Sequence, residues 1–198
     1  MNGRTSLSLS FAVLAGVAFA LTIPTGIFVG HTPCKKPWVF FDLGNTVIAS
    51  NPGQESRYLP GAHSYIQELQ RRGFQIGLIT NVPEKWGRTR SGRIRALKKI
   101  VNETWTTDAS AERMNWEDFP ETHIFVPGRD ADRKPSPYLF STALAAVSLE
   151  EGQSGCPVVF QGEDPREVAT AEKLGMKGYI IGRDPAALYL PLDQLESR

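Results

Sequence analysis

The sequence predicts an α/β fold with a mostly parallel five-stranded sheet, and three observations predict it. Short apolar runs recur after Pro37, segments of helical periodicity separate them, and polar residues able to do chemistry follow several of the runs directly. The runs are 38–41, 74–79, 123–126, 158–160 and 179–181. Each is short and continuously apolar, or nearly so, as strands covered on both faces require. Between the first two, Ala62, Tyr65, Ile66 and Leu69 fall at helical spacing and Gly73 stops that helix. The stretch SGRIRALKKIVNETW predicts a second helix. Ser136 and Pro137 read as N-cap and N1 of a third, carrying Leu139, Phe140 and Leu144. Asp164, Pro165 and Glu167 match N-cap, N1 and N3 of a fourth, whose apolar face includes Val168, Ala171 and Leu174, so a capping box accounts for both acids.

With 198 residues, 41% hydrophobic content and a net charge of +1, the chain has enough apolar material for one ordinary core and no composition typical of disorder. Residues 1–36 are set apart as a signal peptide or N-terminal membrane anchor with a short linker, leaving 37–198 as the globular domain. From Thr5 to Gly30 there is no charged residue, which is long enough to span a bilayer of about 20 helical residues. Ala18 and Ala20 form an Ala-x-Ala cleavage site, whereas Leu21, Ile23, Ile27 and Phe28 prolong the apolar run as an uncleaved anchor would. Export and membrane anchoring therefore both stand, and basic residues on either side (Arg4; Lys35 and Lys36) leave the orientation open. Cys34 and Cys156 lie far apart without paired spacing, so neither a zinc site nor a disulfide framework is expected.

In parallel sheets ligands bind at the carboxyl ends of the strands. Asp42 stands at one such end, Thr80 at a second, and Glu163 at a third, within VVFQGEDPREV. Lys134 follows the 123–126 run through a loop. A carboxylate, a hydroxyl, an ammonium and a second carboxylate can together hold Mg²⁺ and a phosphoryl group. Asn45 and Thr46 shape the turn after Asp42, with Thr46 in a supporting role.

The order of these motifs resembles that of the haloacid dehalogenase superfamily, whose members are mostly phosphoryl hydrolases. FFDLGNTV resembles its nucleophile motif, GLITN its hydroxyl motif, RKPSPYLF its lysine motif, and FQGEDPREVATAEKLGMKGYIIG its metal motif, covering about 37–182. The resemblance implies a three-layer Rossmann-like fold and a Mg²⁺-dependent phosphomonoesterase. It makes Asp42 the nucleophile that forms an aspartyl-phosphate, with Thr80 and Lys134 catalytic and phosphate-binding. The backbone around Asn45 and Asn81 would bind phosphate. Asp42, the Gly44 carbonyl, Glu163 and Glu167 would make up the metal site, with Glu163 where the superfamily usually has aspartate and Glu167 divided between metal and cap.

Gly44 is the main departure, since phosphatases of this superfamily usually carry there a second aspartate that serves as general acid and base, typically worth about 10²- to 10⁴-fold. The 37 residues between Asp42 and Thr80 and the 53 between Thr80 and Lys134 leave no room for a large cap domain. An open site by analogy suits bulky or polymeric phosphorylated substrates. Lys85, Arg88, Arg90, Arg93, Arg95, Lys98 and Lys99 fall within fifteen residues free of acids, a basic segment suited to anionic lipid or nucleic acid, or else an ordinary solvated helix face. Two functions stand from these residues: a phosphohydrolase acting through Asp42, and a catalytically weak, membrane-tethered module that binds a phosphate ligand.

Overall fold

The computed structural model describes residues 34, 36–49, 55–109, 111–152, 155–182 and 187–196. The apolar N-terminal segment lies outside them. Among the described residues no helix is long and apolar enough to cross a membrane.

Five strands form one parallel sheet: β1 (Trp38–Phe41), β4 (Gln75–Ile79), β5 (Ile124–Phe125), β6 (Val158–Gly162) and β7 (Lys177–Ile180), in the order β5-β4-β1-β6-β7. All five expected runs contribute strands. A two-stranded antiparallel ribbon, β2 (Ile48–Ala49) with β3 (Arg57–Tyr58), was not foreseen. The helices are α1 (Ala62–Arg71), α2 (Arg90–Glu103), α3 (Tyr138–Glu150), α4 (Pro165–Lys173) and α5 (Leu192–Glu196).

Alternation along the strands divides the interior into two cores. Val39 and Phe41 of β1, Ile76 and Leu78 of β4 and Val159 of β6 pack with Ile66 and Leu69 of α1 and Ile94, Leu97 and Val101 of α2. Trp38, Phe40, Ile79, Val158 and Phe160 pack on the other face with Leu139, Phe140 and Ala143 of α3 and Val168 and Ala171 of α4. The result is three layers, helices on sheet on helices. Gly77 is required by this packing, because a Cβ there would meet the His123 carbonyl oxygen and the Phe40 ring at 2.5 Å each.

Helix ends follow local chemistry. Gly73, at φ 78°, ends α1 in the left-handed region that glycine enters without steric cost. The Thr89 side chain accepts the Gly92 N–H at the start of α2, and Asp164 accepts the Arg166 N–H ahead of Pro165 at the start of α4. Two expectations need correction. Pro137, not Ser136, is the N-cap of α3. The fourth helix has the Asp164 cap but not the reciprocal bond from Glu167, whose carboxylate turns inward to Lys134 instead.

The absence of a disulfide is also corrected: Cys34 and Cys156 are bonded, with Cα atoms 5.1 Å apart and 122 residues between them in sequence. Pairing of β1 with β6 explains how this happens. The Trp38 N–H donates to the Pro157 carbonyl, so the residues ahead of both strands meet at the amino end of the sheet. Register across a parallel sheet, invisible in sequence spacing, makes the pair.

The segment 187–196 closes over the first core with Tyr189, Leu190 and Leu195, all buried.

Candidate active site

The chain runs outward from β1 through β4 to β5, then returns to place β6 on the other side of β1. Adjacent carboxyl ends of β1 and β6 thus form the switch point where α/β sheets open a crevice. Asp42 follows β1 and Glu163 follows β6 at this point. Thr80 follows β4, the neighbour of β1 on the opposite side.

Asp42 Oδ1 accepts the Leu43 N–H at 2.7 Å and is ion-paired with the Lys134 ammonium, also at 2.7 Å. Lys134 Nζ also lies 2.6 Å from Glu167 Oε2, and its side chain is 1% exposed. The ammonium therefore bridges two buried carboxylates. Asn81 holds the lysine in place by clasping its backbone: the Lys134 N–H donates to Asn81 Oδ1 at 2.7 Å and Asn81 Nδ2 donates to the Lys134 carbonyl at 3.1 Å. Lys134 precedes a cis peptide bond to Pro135.

Glu163 accepts the Thr46 hydroxyl at 3.0 Å. Partial burial, followed by the negative charge of Asp42, pushes its carboxyl up to about 7. Burial likewise raises Glu167, with Asp42 adding to the rise and Lys134 opposing it.

The loop after β1 is a tight turn. The amides of Thr46, Val47 and Ile48 converge on the Leu43 carbonyl, and Asn45 takes a left-handed φ of 52°, which asparagine tolerates better than most residues. Thr46 is fully buried, and its carbonyl accepts the Tyr189 hydroxyl at 2.6 Å. Tyr189 stacks on Tyr65, whose hydroxyl donates to the Leu190 carbonyl and accepts from Gln161 Nε2. Gln161 Oε1 in turn accepts the Leu190 N–H. This buried network fixes the turn that carries Thr46, and with it the partner of Glu163.

Thr80 is buried, and its N–H donates to the Phe125 carbonyl. Among the described residues no protein group takes up its hydroxyl. Gly44 lies in the same turn, bridged to Ile48. Asp42, Lys134, Glu163 and Glu167 are linked by contact or by field, and Asn81 is tied to them through Lys134. Asp164 stays outside, pairing with Arg166 at 2.7 Å. Tyr65, Gln161 and Tyr189 escaped sequence reasoning because each sits in an apolar or strand context, and the network they form is completed only by the docking of residues 187–196.

Along the basic segment, Arg90 donates to the carbonyls of Glu121 and Ile124, Lys98 faces Glu121 at 3.5 Å, and Lys99 faces Glu103 at 3.7 Å. Arg93 is buried. Among the described residues Lys85, Arg88 and Arg95 form no ion pair.

A divalent cation fits the residues at the β1–β6 switch. Asp42 and Glu163 offer hard oxygen donors, and the burial that raises Glu163, with the charge of Asp42 adding to it, is a cost that a bound cation would offset. Among the described residues there is no cluster of three or more His, Cys, Asp or Glu side chains in metal-binding arrangement, so the donor set from side chains is this pair.

No protein-family model and no curated protein matches the chain. Among solved structures it is similar to an uncharacterized protein from Corynebacterium glutamicum (TM-score 0.41, 16% identity, covering 81% of this chain and 89% of that one). It is also similar to a candidate HAD-like phosphatase from Mesorhizobium loti (TM-score 0.47, 14% identity, covering 77% and 75%). Both likenesses are too distant to assign a function.

Proposed function

We propose that the chain is a phosphomonoesterase of the haloacid dehalogenase type, acting through Asp42 with Mg²⁺ as cofactor. The observation that carries this reading is the convergence of Asp42, Lys134 and Glu163 at the switch point, with Lys134 2.7 Å from the proposed nucleophile. Asp42 attacks phosphorus, a P–O bond forms, and the ester P–O bond breaks with its electron pair leaving on the substrate oxygen. Water then displaces Asp42 from phosphorus and restores the carboxylate. Lys134 offsets the charge gathered between nucleophile and phosphoryl group, and Glu167 holds the ammonium in place. Thr80 and the Asn81 amide are the donors for phosphoryl oxygens; the Asn45 N–H, expected to join them, donates instead to the Ile48 carbonyl at 2.7 Å, so Asn45 shapes the turn rather than binding phosphate. Asp42, Glu163 and the Gly44 carbonyl would hold Mg²⁺, which when bound neutralises charge on the transferred group. Glu167, paired with Lys134, is assigned to positioning rather than to the metal.

Gly44 offers no side chain to protonate the leaving oxygen. Turnover is therefore fastest on esters with acidic leaving groups, for which that proton matters least. The same residue favours a second reading, a phosphate-binding module with vestigial chemistry. Phosphate release from p-nitrophenyl phosphate by the full chain, with Mg²⁺ and with EDTA, separates the two. The enzyme reading requires Mg²⁺-dependent release that Asp42→Asn abolishes, and the binding reading requires none.

The Cys34–Cys156 disulfide and the apolar segment before it support an exported or membrane-anchored protein in an oxidising compartment. No large cap is assigned, since β2, β3 and α1 occupy the space between β1 and β4.

A further inference from the structure

The loops that follow β4 and β5 enclose a cleft that the proposed chemistry leaves unused. Arg93, in the first turn of α2, is 5% exposed, and its Nε is buried with no hydrogen-bond partner. Its Nη1 donates to the Gly87 carbonyl at 2.7 Å. Arg93 lines an open cavity of about 440 Å³, together with Glu84, Lys85, Gly87, Arg88 and Gly128. Lys85 and Arg88 are exposed on its rim. The one acid in the wall is turned elsewhere: Glu84 Oε2 accepts the Asp130 N–H at 3.2 Å, and the Glu84 N–H donates to Asp130 Oδ1 at 3.1 Å.

These observations describe a site for an anion. Arg93 brings a full positive charge to the wall of the cleft, with its Nε enclosed and its Nη1 taken by the Gly87 carbonyl, and an oxyanion in the cleft would pair with that charge. Two further cations and the positive end of α2, a helix of 14 residues, raise the potential in the cleft. Gly87 keeps the loop pressed against the helix, since a Cβ there would lie 2.8 Å from the backbone nitrogen of Arg93. The buried guanidinium suits a compact oxyanion held in a recess rather than a flat lipid surface or a polymer backbone lying across exposed lysines.

Its placement ties the cleft to catalysis. Glu84 and Lys85 follow shortly after Asn81, and Gly128 lies on the loop from β5 to Lys134. The cleft therefore opens at the same carboxyl end of the sheet as Asp42. We propose that it is a second anion subsite, binding a phosphate of the substrate other than the one attacked, so that the favoured substrates carry two phosphate groups. The assignment to substrate rests on the phosphohydrolase reading, whereas the anion site itself does not.

Equilibrium dialysis of radiolabelled inorganic phosphate against the full chain tests the site, and kinetics on fructose 1,6-bisphosphate and fructose 6-phosphate test its use. Wild type should bind two equivalents of phosphate, Lys85→Ala/Arg88→Ala should lose one, and Thr80→Val should keep the one that the double variant loses. Both altered residues in the double variant are exposed, so folding is not at issue. The preference in kcat/KM for the bisphosphate over the monophosphate should fall at least tenfold in the double variant. If no ester turns over, the phosphohydrolase reading fails, yet loss of one equivalent in the double variant still establishes the anion site. Phosphate binding equal in wild type and the double variant would overturn the proposal, as would binding of phosphatidylglycerol vesicles, but not of phosphate, through Lys85 and Arg88.

Discussion

The Lys134 ammonium lies 2.7 Å from Asp42 Oδ1 and 2.6 Å from Glu167 Oε2, buried between them. A charge in this position pairs with two carboxylates that would otherwise be buried without a counter-charge. Removing it should destabilise the fold as well as the chemistry, because the loss leaves both acids desolvated. Lys134→Ala is expected to cost about 3–5 kcal/mol in urea denaturation. Glu167→Gln should cost less, since Lys134 keeps Asp42. Equal denaturation midpoints for Lys134→Ala and wild type would contradict the pairing.

Glu163 makes stability depend on pH. Its folded-state carboxyl is raised from 4.5 to about 7 by burial and by Asp42, so the folded protein binds the proton more tightly than the unfolded chain does. The stability contributed is fully present below about pH 4.5 and is lost as pH rises through about 7. In EDTA, the Tm of wild type should therefore fall relative to Glu163→Gln between pH 5 and pH 8. Mg²⁺ should restore it at pH 8 in wild type and not in the variant. Parallel Tm profiles would remove Glu163 from the proposed metal site.

The sheet was legible in the sequence because its strands are continuous apolar runs, and each polar residue placed at a strand end is found there. Lys134 was harder to place, for it sits on a loop whose course is set by the Asn81 clasp rather than by local periodicity. The disulfide and the Tyr65–Gln161–Tyr189 network were not legible. Both join distant segments through strand register and through docking of residues 187–196, and neither leaves a spacing pattern behind. Glu167 misled for a different reason: position N3 is right for a capping box, but buried Lys134 offers its carboxylate a full charge to pair with.

The Cys34–Cys156 bond lies at the amino end of the sheet, away from the candidate site. Its loss should lower stability without altering the chemistry. Cys34→Ser/Cys156→Ser is expected to cost about 2–4 kcal/mol, mainly through greater freedom of the unfolded chain. Denaturation with and without dithiothreitol checks this, the reductant shifting wild type to the midpoint of the double variant. No shift on reduction would contradict a stabilising bond.

Gly44 sets the limit on rate. Gly44→Asp should place a carboxylate where it can protonate the leaving oxygen and later activate water, raising turnover of alkyl phosphates by about 10²-fold or more. Esters with acidic leaving groups should gain less in the first displacement. A folded Gly44→Asp variant that binds Mg²⁺ and gains nothing on any phosphomonoester would favour the binding-module reading.

The role of Asp42 as nucleophile is tested most directly by trapping. The full chain is incubated with ³²P-labelled acetyl phosphate and Mg²⁺, quenched in acid, and the labelled peptide is mapped. The account predicts acid-stable, hydroxylamine-labile label on Asp42, accumulating because Gly44 provides no base for its hydrolysis and disappearing in Asp42→Asn. Phosphate release that continues in Asp42→Asn, or label on another residue, would contradict it.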